Sequence, residues 1–557
     1  MSQARVGSES SSISDHREYD AIVVGVGFSG IYELYRLREQ GLSVHALESG
    51  DGVGGTWHWN CYPGARVDSP CMQYSLSFSA ELEQEWHWPE EYSAQPDLQR
   101  YFDHVADRFD LRKDISFNTT VIGATYDADD NRWTLETDRG VTYSAKYLVT
   151  AVGCLSATNI PAFKGLDSFR GDWYHTSRYP QNKPDLRGKR VGVIGTGSTG
   201  IQVITAIAPE VEQLYVFQRT ANFSMPAQNK PMDPEFEKAW KARYPEHRQA
   251  ARVSGFGAIY DALDKSALAV SEEEREQIYE AAWLKGGFNI ALAFNDLTTN
   301  EEANETAAEF VRKKIRGIVK DPATAELLIP RGYPIFTKRP CFDTGYYEQY
   351  NRENVTLVDI RTNPIEEITP TGLRTTAEEY GLDVIIFATG FDALTGPLHR
   401  MNIVGKDGVK LQDKWQAGPR TYLGLATAGF PNLFMITGPG SPSVLSNMTT
   451  SIEQHGDWIA DAIDYMEKRG LKAMEAERDA EDRWVEHVNE VANMTLHYKA
   501  NSWYLGANIP GKPRVFIPYA GGVGPYREIC DGVAEKGYEG FTFQSSAMAA
   551  SAQESAS

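Results

Sequence analysis

Residues 21–30 read Ala-Ile-Val-Val-Gly-Val-Gly-Phe-Ser-Gly, and residues 191–200 read Val-Gly-Val-Ile-Gly-Thr-Gly-Ser-Thr-Gly. Each is an apolar run of strand character ending in G-x-G-x-x-G. After the first, Ile31, Leu34 and Tyr35 fall at i, i+3 and i+4, which predicts a helix to about Gln40 with Gly41 placed at its end. A second strand then runs from Val44 to Glu48. After the second turn, a helix to about Ala208 leads into a strand at Leu214–Phe217. With 48 glycines in 557 residues, chance supplies about 0.35 such motifs in a chain of this length. Two of them, each between an apolar strand and a periodic helix, are a structural signal. The first glycine allows the tight turn, the second admits a pyrophosphate to the backbone, and the third lets helix pack on strand. The free N–H groups of the helix N-terminus then face the anion. The fold expected is α/β, with two Rossmann-like dinucleotide-binding domains; the bland alternative is two structural turns in α/β layers.

Working outward, 41% hydrophobic and 24% charged residues are ordinary for a globular enzyme and exclude a disordered or fibrous chain. The formal charge of −21 argues against nucleic acid or an anionic membrane surface as partner. Five widely spaced cysteines without C-x-x-C fit free thiols in a reducing, cytoplasmic setting, and give neither a zinc site nor a disulfide-redox centre. The polar first nineteen residues carry no secretory pattern. Val191–Pro209 is uncharged, but its three glycines suit strand, turn and helix better than a membrane span.

Residues 1–18 and about 544–557 read as loose tails. Helix is expected over Pro96–Asp110 and Ile452–Lys468, a β-meander over Ile115–Tyr143, and buried strands at Tyr147–Val152 and Val384–Ala388. Residues 232–330 form a helical insertion, with a capping box at Ser271–Glu274 and a helix over Asn300–Val319. The basic cluster Arg312, Lys313, Lys314 and Arg316 reads as a solvated face complementing the helix dipole. The domains expected are 1–153 with 389–557, containing the first turn, and 154–388, containing the second turn and the insertion.

The two units differ where the second strand ends. Glu48 stands 23 residues after Gly25, and Arg219 stands 24 after Gly195. A carboxylate there accepts hydrogen bonds from a free ribose 2′-OH, as in FAD or NAD, whereas a guanidinium favours a 2′-phosphate. A strand-end acid and a surface ion pair are the alternative readings of the two residues. NADPH at the second turn needs an electron acceptor, which makes FAD the economical occupant of the first. Gly54-Gly55-Thr56-Trp57 supports this, offering close backbone approach and an aromatic beside a ring system; Trp59, Tyr62 and Tyr74 follow nearby, with core packing the alternative for each.

These residues resemble the type I Baeyer–Villiger monooxygenases, the family of cyclohexanone monooxygenase, from about Tyr19 to Phe543. The carriers are GVGFSG at 25–30, GGTWHWNCYPGARVD at 54–68, GVIGTGSTG at 192–200, VFQRT at 216–220, TKRP at 337–340, DVIIFATGFDALTG at 383–396 and SWYLGANIPGK at 502–512. The family's linker signature is present as Phe169, Gly171, His175 and Tyr179-Pro180, with tyrosine where tryptophan is usual. The resemblance implies conversion of ketones, cyclic ones foremost, to esters or lactones with NADPH and O2 through a flavin peroxide. It assigns Arg339 to hold negative charge at the reacting centre and Asp68 to orient it. It implies that Gly25, Gly27, Phe28, Ser29, Gly30, Glu48, Gly55, Thr56, Trp57 and Tyr74 hold FAD. It assigns Gly195, Thr196, Gly197, Ser198, Thr199, Gly200, Gln202, Arg219, Thr220 and Lys338 to NADPH, Trp503 to a mobile loop over it, and His175 to ordering the linker. Segments 438–448 and 500–519 are expected as lids, with Leu445, Met448, Phe294 and Phe516 as candidate pocket walls or ordinary core. The alternatives are a flavin monooxygenase of amines or sulfides, an NADPH:flavin reductase without oxygen insertion, and a non-catalytic NADPH-sensing flavoprotein. The sequence leaves the ketone and the oligomeric state unread.

Overall fold

The computed structural model describes residues 16–545. The strand His16–Val24 lies centrally in an eight-stranded sheet, parallel to Val44–Leu47 on one side and to Thr142–Thr150 on the other. The meander is present as the antiparallel strands Val121–Asp127, Arg132–Thr137 and Thr142–Thr150. Ile115–Ser116 is not part of it; this strand pairs in parallel with Val44–Leu47. Two strands from far along the chain complete the sheet. Leu433–Met435 pairs with Leu148–Thr150, and Ile403–Val404 with Ala124–Thr125. The central strands are buried continuously over Ala21–Val24 and Val44–Leu47 rather than in alternation, which reflects cover on both faces.

The second sheet is entirely parallel. Its strands run, edge to edge, Val355–Asp359, Gln213–Gln218, Arg190–Ile194, Val384–Phe387 and Asp172–His175. The insertion contributes the helices Pro234–Lys241, Tyr244–Val253, Glu272–Lys285, Glu301–Ile318 and Pro322–Leu328. The expected capping box is formed on one side, where Ser271 Oγ accepts the Glu274 N–H at 3.1 Å.

Three expectations need correction. Residues 16–18 belong to the first strand, and 544–545 to the strand Phe541–Ser545 that pairs with Leu471–Ala476; the rest of both tails lies outside the described residues. The basic cluster is not simply a solvated face. Arg312 is buried, donates to Glu305 and the Pro330 carbonyl, and lies over the Phe223 ring, while Lys314 is clamped by Glu280. Lys313 and Arg316 remain exposed, each in an ion pair. Finally, the helix begun at about Ile452 starts earlier, at Met448. Val191–Pro209 divides into strand and helix, and no helix among the described residues is long and apolar enough to cross a membrane.

The two glycine turns are superimposable in their steric logic. Gly25 and Gly195 have φ of +97° and +111°, and a Cβ on them would stand 2.6 Å from the Ala151 carbonyl oxygen and 2.4 Å from that of Ala388. A Cβ on Gly30 or Gly200 would approach the Gly25 or Gly195 carbonyl oxygen to 1.8 or 2.2 Å. The third glycine of each motif is thus what allows the helix to sit on its strand.

Candidate active site

Arg339 and Asp68 are 271 positions apart and form an ion pair joined by three hydrogen bonds. Arg339 Nη2 donates to Asp68 Oδ2 at 2.7 Å and Oδ1 at 2.8 Å, and Nε to Oδ2 at 3.1 Å. Nη1 donates to the Val444 carbonyl at 2.8 Å. Three parts of the chain meet here. Asp68 follows the bridge Arg66–Ala94 in the first segment. Arg339 precedes the strand Cys341–Asp343, which pairs with Ser224–Pro226. Val444 belongs to the short turn Ser443–Leu445 in the returning third segment. The Phe288 ring of the insertion lies 5.6 Å from the guanidinium carbon. Burial works against the charge of Arg339, but Asp68 outweighs it and the guanidinium is held more firmly protonated than usual. Burial pushes the Tyr504 phenol up to about 12, while the adjacent Arg339 pulls it down. This is a permanent, oriented cation at a junction of elements.

At the first glycine turn, Glu48 stands one residue beyond the strand and is buried. Its Oε2 accepts the Val26 N–H at 2.9 Å and its Oε1 the Gly50 N–H at 2.7 Å, so the carboxylate is fixed against the turn. The helix Phe28–Glu39 begins after Gly27 with no side-chain cap. Phe28 anchors it through Phe102 and Tyr74, with ring centroids at 4.4 and 5.1 Å, and Ser29 is buried beside it. The Gly54–Trp57 segment is laid against the turn. Gly54 N–H donates to the Val26 carbonyl at 3.0 Å, and a Cβ on Gly55 would come within 2.9 Å of Gly27 Cα. Thr56 opens the short helix Thr56–Trp59. Trp57 meets Tyr74 edge-on, and its buried indole N–H has no partner.

At the second turn, the helix Ser198–Ile207 also lacks a side-chain cap, and a Cβ on Gly197 would meet nothing within 4 Å. Thr196 Oγ1 ties the turn to the Thr220 carbonyl at 3.0 Å, and Ser198 Oγ lies 3.3 Å from Cys341 Sγ. Thr199 is half-buried in the first helical turn. Arg219 is exposed at the strand end, and Lys338 lies over the Tyr333 ring at 4.1 Å. Burial and then the nearby Arg219 lower the Lys338 pKa. Among the described residues no carboxylate forms an ion pair with either, so two neighbouring cations stand ready for an anion. Gln202 uses its side chain differently from a pure cofactor ligand: Nε2 donates to the Arg66 carbonyl at 3.0 Å and Oε1 accepts the Tyr62 hydroxyl at 2.8 Å, joining the second turn's helix to the first segment.

These features fit dinucleotides at both turns: uncapped helix ends, an open face at Gly197, an unpartnered indole beside Gly55, and an acid at one ribose position with bases at the other. They also separate the glycines experimentally. Gly200→Ala is expected to cost about 2 kcal/mol or more of stability by collision with the Gly195 carbonyl. Gly197→Ala is expected to leave thermal unfolding unchanged and to raise the KM for NADPH. Thermal denaturation and cofactor kinetics on the two variants check this.

The remaining candidates are placed as follows. Trp503 is half-buried in a short turn, its ring 4.4 Å from that of Tyr504. Phe516 and Phe294 are buried in apolar clusters, while Leu445 and Met448 pack at the edge of the cluster containing Val444 and Tyr504. His175 reaches Thr389 Oγ1 at 3.2 Å and Ser177 Oγ at 2.8 Å, across the edge of the second sheet. Burial lowers its pKa to about 4, so it is neutral. Tyr179 is buried, and its carbonyl accepts the Cys61 thiol at 3.1 Å. Sequence reasoning missed the Val444 carbonyl, the Phe288 ring and Tyr504. A backbone carbonyl carries no sequence signal; Tyr504 was available as the neighbour of Trp503.

Residues 19–234 match the model of the flavin-binding monooxygenase-like family. A protein named Baeyer-Villiger monooxygenase from Pseudooceanicola batsensis is 45% identical over 94% of this chain and 95% of its own length. Cyclohexanone 1,2-monooxygenase of an Acinetobacter species is 42% identical over 96% and 98%. Phenazine N-monooxygenase of Lysobacter antibioticus is 42% identical over the same shares. Among solved structures, an oxidized steroid monooxygenase bound to NADP is 53% identical with a TM-score of 0.91, covering 95% of this chain and 99% of that one. A complex of OTEMO with FAD and NADP is 41% identical with a TM-score of 0.91, covering 94% and 99%. With relatives of this identity spanning nearly the whole chain, and with the paired glycine turns and the Arg339–Asp68 pair described above, the chain belongs to the Baeyer–Villiger monooxygenase family of flavoproteins.

Proposed function

We propose that this chain converts ketones to esters or lactones with NADPH, FAD and O2, and that Arg339, oriented by Asp68, is its catalytic cation. When bound, FAD supplies the redox chemistry, accepting reducing equivalents from NADPH and activating O2 for insertion beside a carbonyl. The chain's own residues supply binding and charge. The first turn, with Gly25, Gly27, Gly30, Glu48 and the Gly55–Trp57 segment, holds FAD; Glu48 is aimed to accept from a ribose hydroxyl. The second, with Gly195, Gly197 and Gly200, holds NADPH, and Arg219 with Lys338 grips the 2′-phosphate. Segments 1–153 and 389–557 serve FAD, and 154–388 serves NADPH. Gln202 and the His175–Thr389 contact keep the two units in register. Trp503 and its loop cover the nicotinamide end and exclude water.

The observation that carries the reading is the bidentate Arg339–Asp68 pair, braced by the Val444 carbonyl. A fixed guanidinium stabilises negative charge on an attacking oxygen and on the oxygen of the adduct, and does so most strongly where water is excluded. Five buried free thiols suit a reducing cytoplasm. Ketone and O2 are the partners, with nucleic acid and membrane disfavoured by the net charge. The experiment is incubation of the FAD-loaded chain with NADPH, O2 and ketones from cyclohexanone to a steroid ketone, with mass analysis. A product one oxygen heavier for at least one ketone is expected. NADPH consumption indifferent to every ketone would overturn the reading in favour of a reductase. Oxygenation at nitrogen is kept as a second reading because of the phenazine N-monooxygenase relative, and an aromatic amine belongs in the same panel.

A further inference from the structure

Helices Phe28–Glu39, Met448–Lys468 and Val523–Glu535 pack together around a cavity of about 580 Å³. None of the residues lining it belongs to the Arg339–Asp68 pair or to a glycine turn. Its walls follow the helical repeat: positions 32, 35, 36 and 39 on the first helix, 454, 457, 458 and 461 on the second, and 527, 531 and 534 on the third. An i, i+3, i+4, i+7 face turned toward partner helices is ordinarily apolar. Here the three faces carry Arg36, Glu39, Asp457, Asp461, Arg527 and Asp531. A chain that only needed to close this seam would fill it with leucine.

The charges do not cancel. Asp457 is satisfied, forming an ion pair with Arg36 at 3.0 Å and accepting from the Tyr32 hydroxyl at 2.6 Å. Asp461 reaches Arg36 only at 3.9 Å, and Glu39 and Asp531 form no ion pair among the described residues. Burial, with Asp457 adding, raises the Asp461 pKa, and burial raises that of Asp531 against the pull of the nearby Arg527. Neither carboxylate has a close ion-pair partner among the described residues. The floor adds an independent sign of a missing occupant: Gln454 is 2% exposed and lines the cavity, and while its amide faces the Cys530 thiol, its Oε1 has no hydrogen-bond partner. Burying an unpaired amide oxygen is costly, about 1–3 kcal/mol per group. The rings of Tyr35, Phe78, Trp458 and Tyr538 complete the wall, a surface that suits methylenes and a cation together. Two lining groups favour an anion: Arg36, which Asp457 takes up, and Arg527, whose Nε has no hydrogen-bond partner; the four carboxylates Glu39, Asp457, Asp461 and Asp531 outnumber them.

We propose that this cavity binds an organic ammonium cation of the diamine or polyamine class, with Asp461 and Asp531 on its nitrogens, the aromatic wall along its methylenes and Gln454 Oε1 accepting one N–H. The volume lies within the range of small-molecule sites. The test is equilibrium dialysis of labelled spermidine, and in parallel labelled succinate, against the FAD-loaded full chain. Saturation at one spermidine per chain is expected, with no succinate bound. The double variant Asp461→Asn/Asp531→Asn should weaken spermidine at least tenfold while leaving ketone-dependent NADPH oxidation at the wild-type rate, which also shows that it is folded. Ala534→Phe, which fills the cavity from the third helix, should abolish binding independently. Absence of saturable spermidine binding, binding unchanged in either variant (the mark of diffuse attraction to an acidic surface), or succinate in place of spermidine would overturn the proposal.

Discussion

Arg339→Ala is expected to lower ketone-dependent product formation about 100- to 1,000-fold, the cost of removing one preorganised group from the site of developing negative charge. The variant should still bind NADPH, because the cations placed at the second turn are Arg219 and Lys338. Its effect should fall on turnover rather than on the KM for NADPH. Arg339→Lys should not restore activity. Lysine cannot reproduce the fork that engages Asp68 through two nitrogens and Val444 through a third, and its charge weakens when desolvated. Asp68→Ala should lose activity in the same direction, since a half-buried guanidinium without its carboxylate is both costly and misoriented. Steady-state kinetics on the three variants, with NADPH saturating, checks the pattern. Equal losses in NADPH affinity and in turnover would show that Arg339 serves the cofactor instead.

Arg219→Ala is expected to raise the KM for NADPH about 10- to 100-fold, the worth of charge-assisted hydrogen bonds to one phosphate, with little change for NADH. The reasoning is electrostatic. Arg219 and Lys338 lie close enough for one to depress the pKa of the other, and among the described residues no carboxylate forms an ion pair with either. That repulsion is tolerated in the free chain and becomes attraction once a 2′-phosphate sits between them. Adding Lys338→Ala should deepen the discrimination loss less than additively, because the two groups share one ligand. Parallel losses for NADPH and NADH would place the reading of the 2′-phosphate elsewhere.

Much of this architecture was legible because the chemistry at the glycine turns is steric and local. Gly25, Gly30, Gly195 and Gly200 are each required by a carbonyl oxygen within 2.6 Å of where a Cβ would stand, so the motif and the fold are the same fact. The acid-versus-base difference between Glu48 and Arg219 was legible for the same reason, as each follows its strand at a fixed distance from the turn. Contacts across long sequence separations were not legible from spacing. The Arg339–Asp68 pair came from family resemblance, and nothing in either local sequence announces a partner 271 positions away. The clamp made by Gln202 was likewise hidden, since a glutamine in the first turns of a phosphate-binding helix reads as a ligand. The basic cluster at 312–316 was misjudged because helix charge patterns do not reveal which face meets a neighbour. Arg312 turns inward to the Pro330 carbonyl and the Phe223 ring, and Lys314 reaches Glu280 on a neighbouring helix, whereas composition alone put the whole cluster in water.

The central claim is that Arg339 turns NADPH oxidation into oxygen insertion. Reaction with a cyclic ketone under ¹⁸O₂, scoring labelled ester per NADPH consumed, addresses it directly. The wild-type chain should place one labelled oxygen in the ester, and Arg339→Ala should continue to consume NADPH while forming almost none. Labelled ester from the variant at the wild-type ratio, or unlabelled ester from the wild type, would contradict the claim.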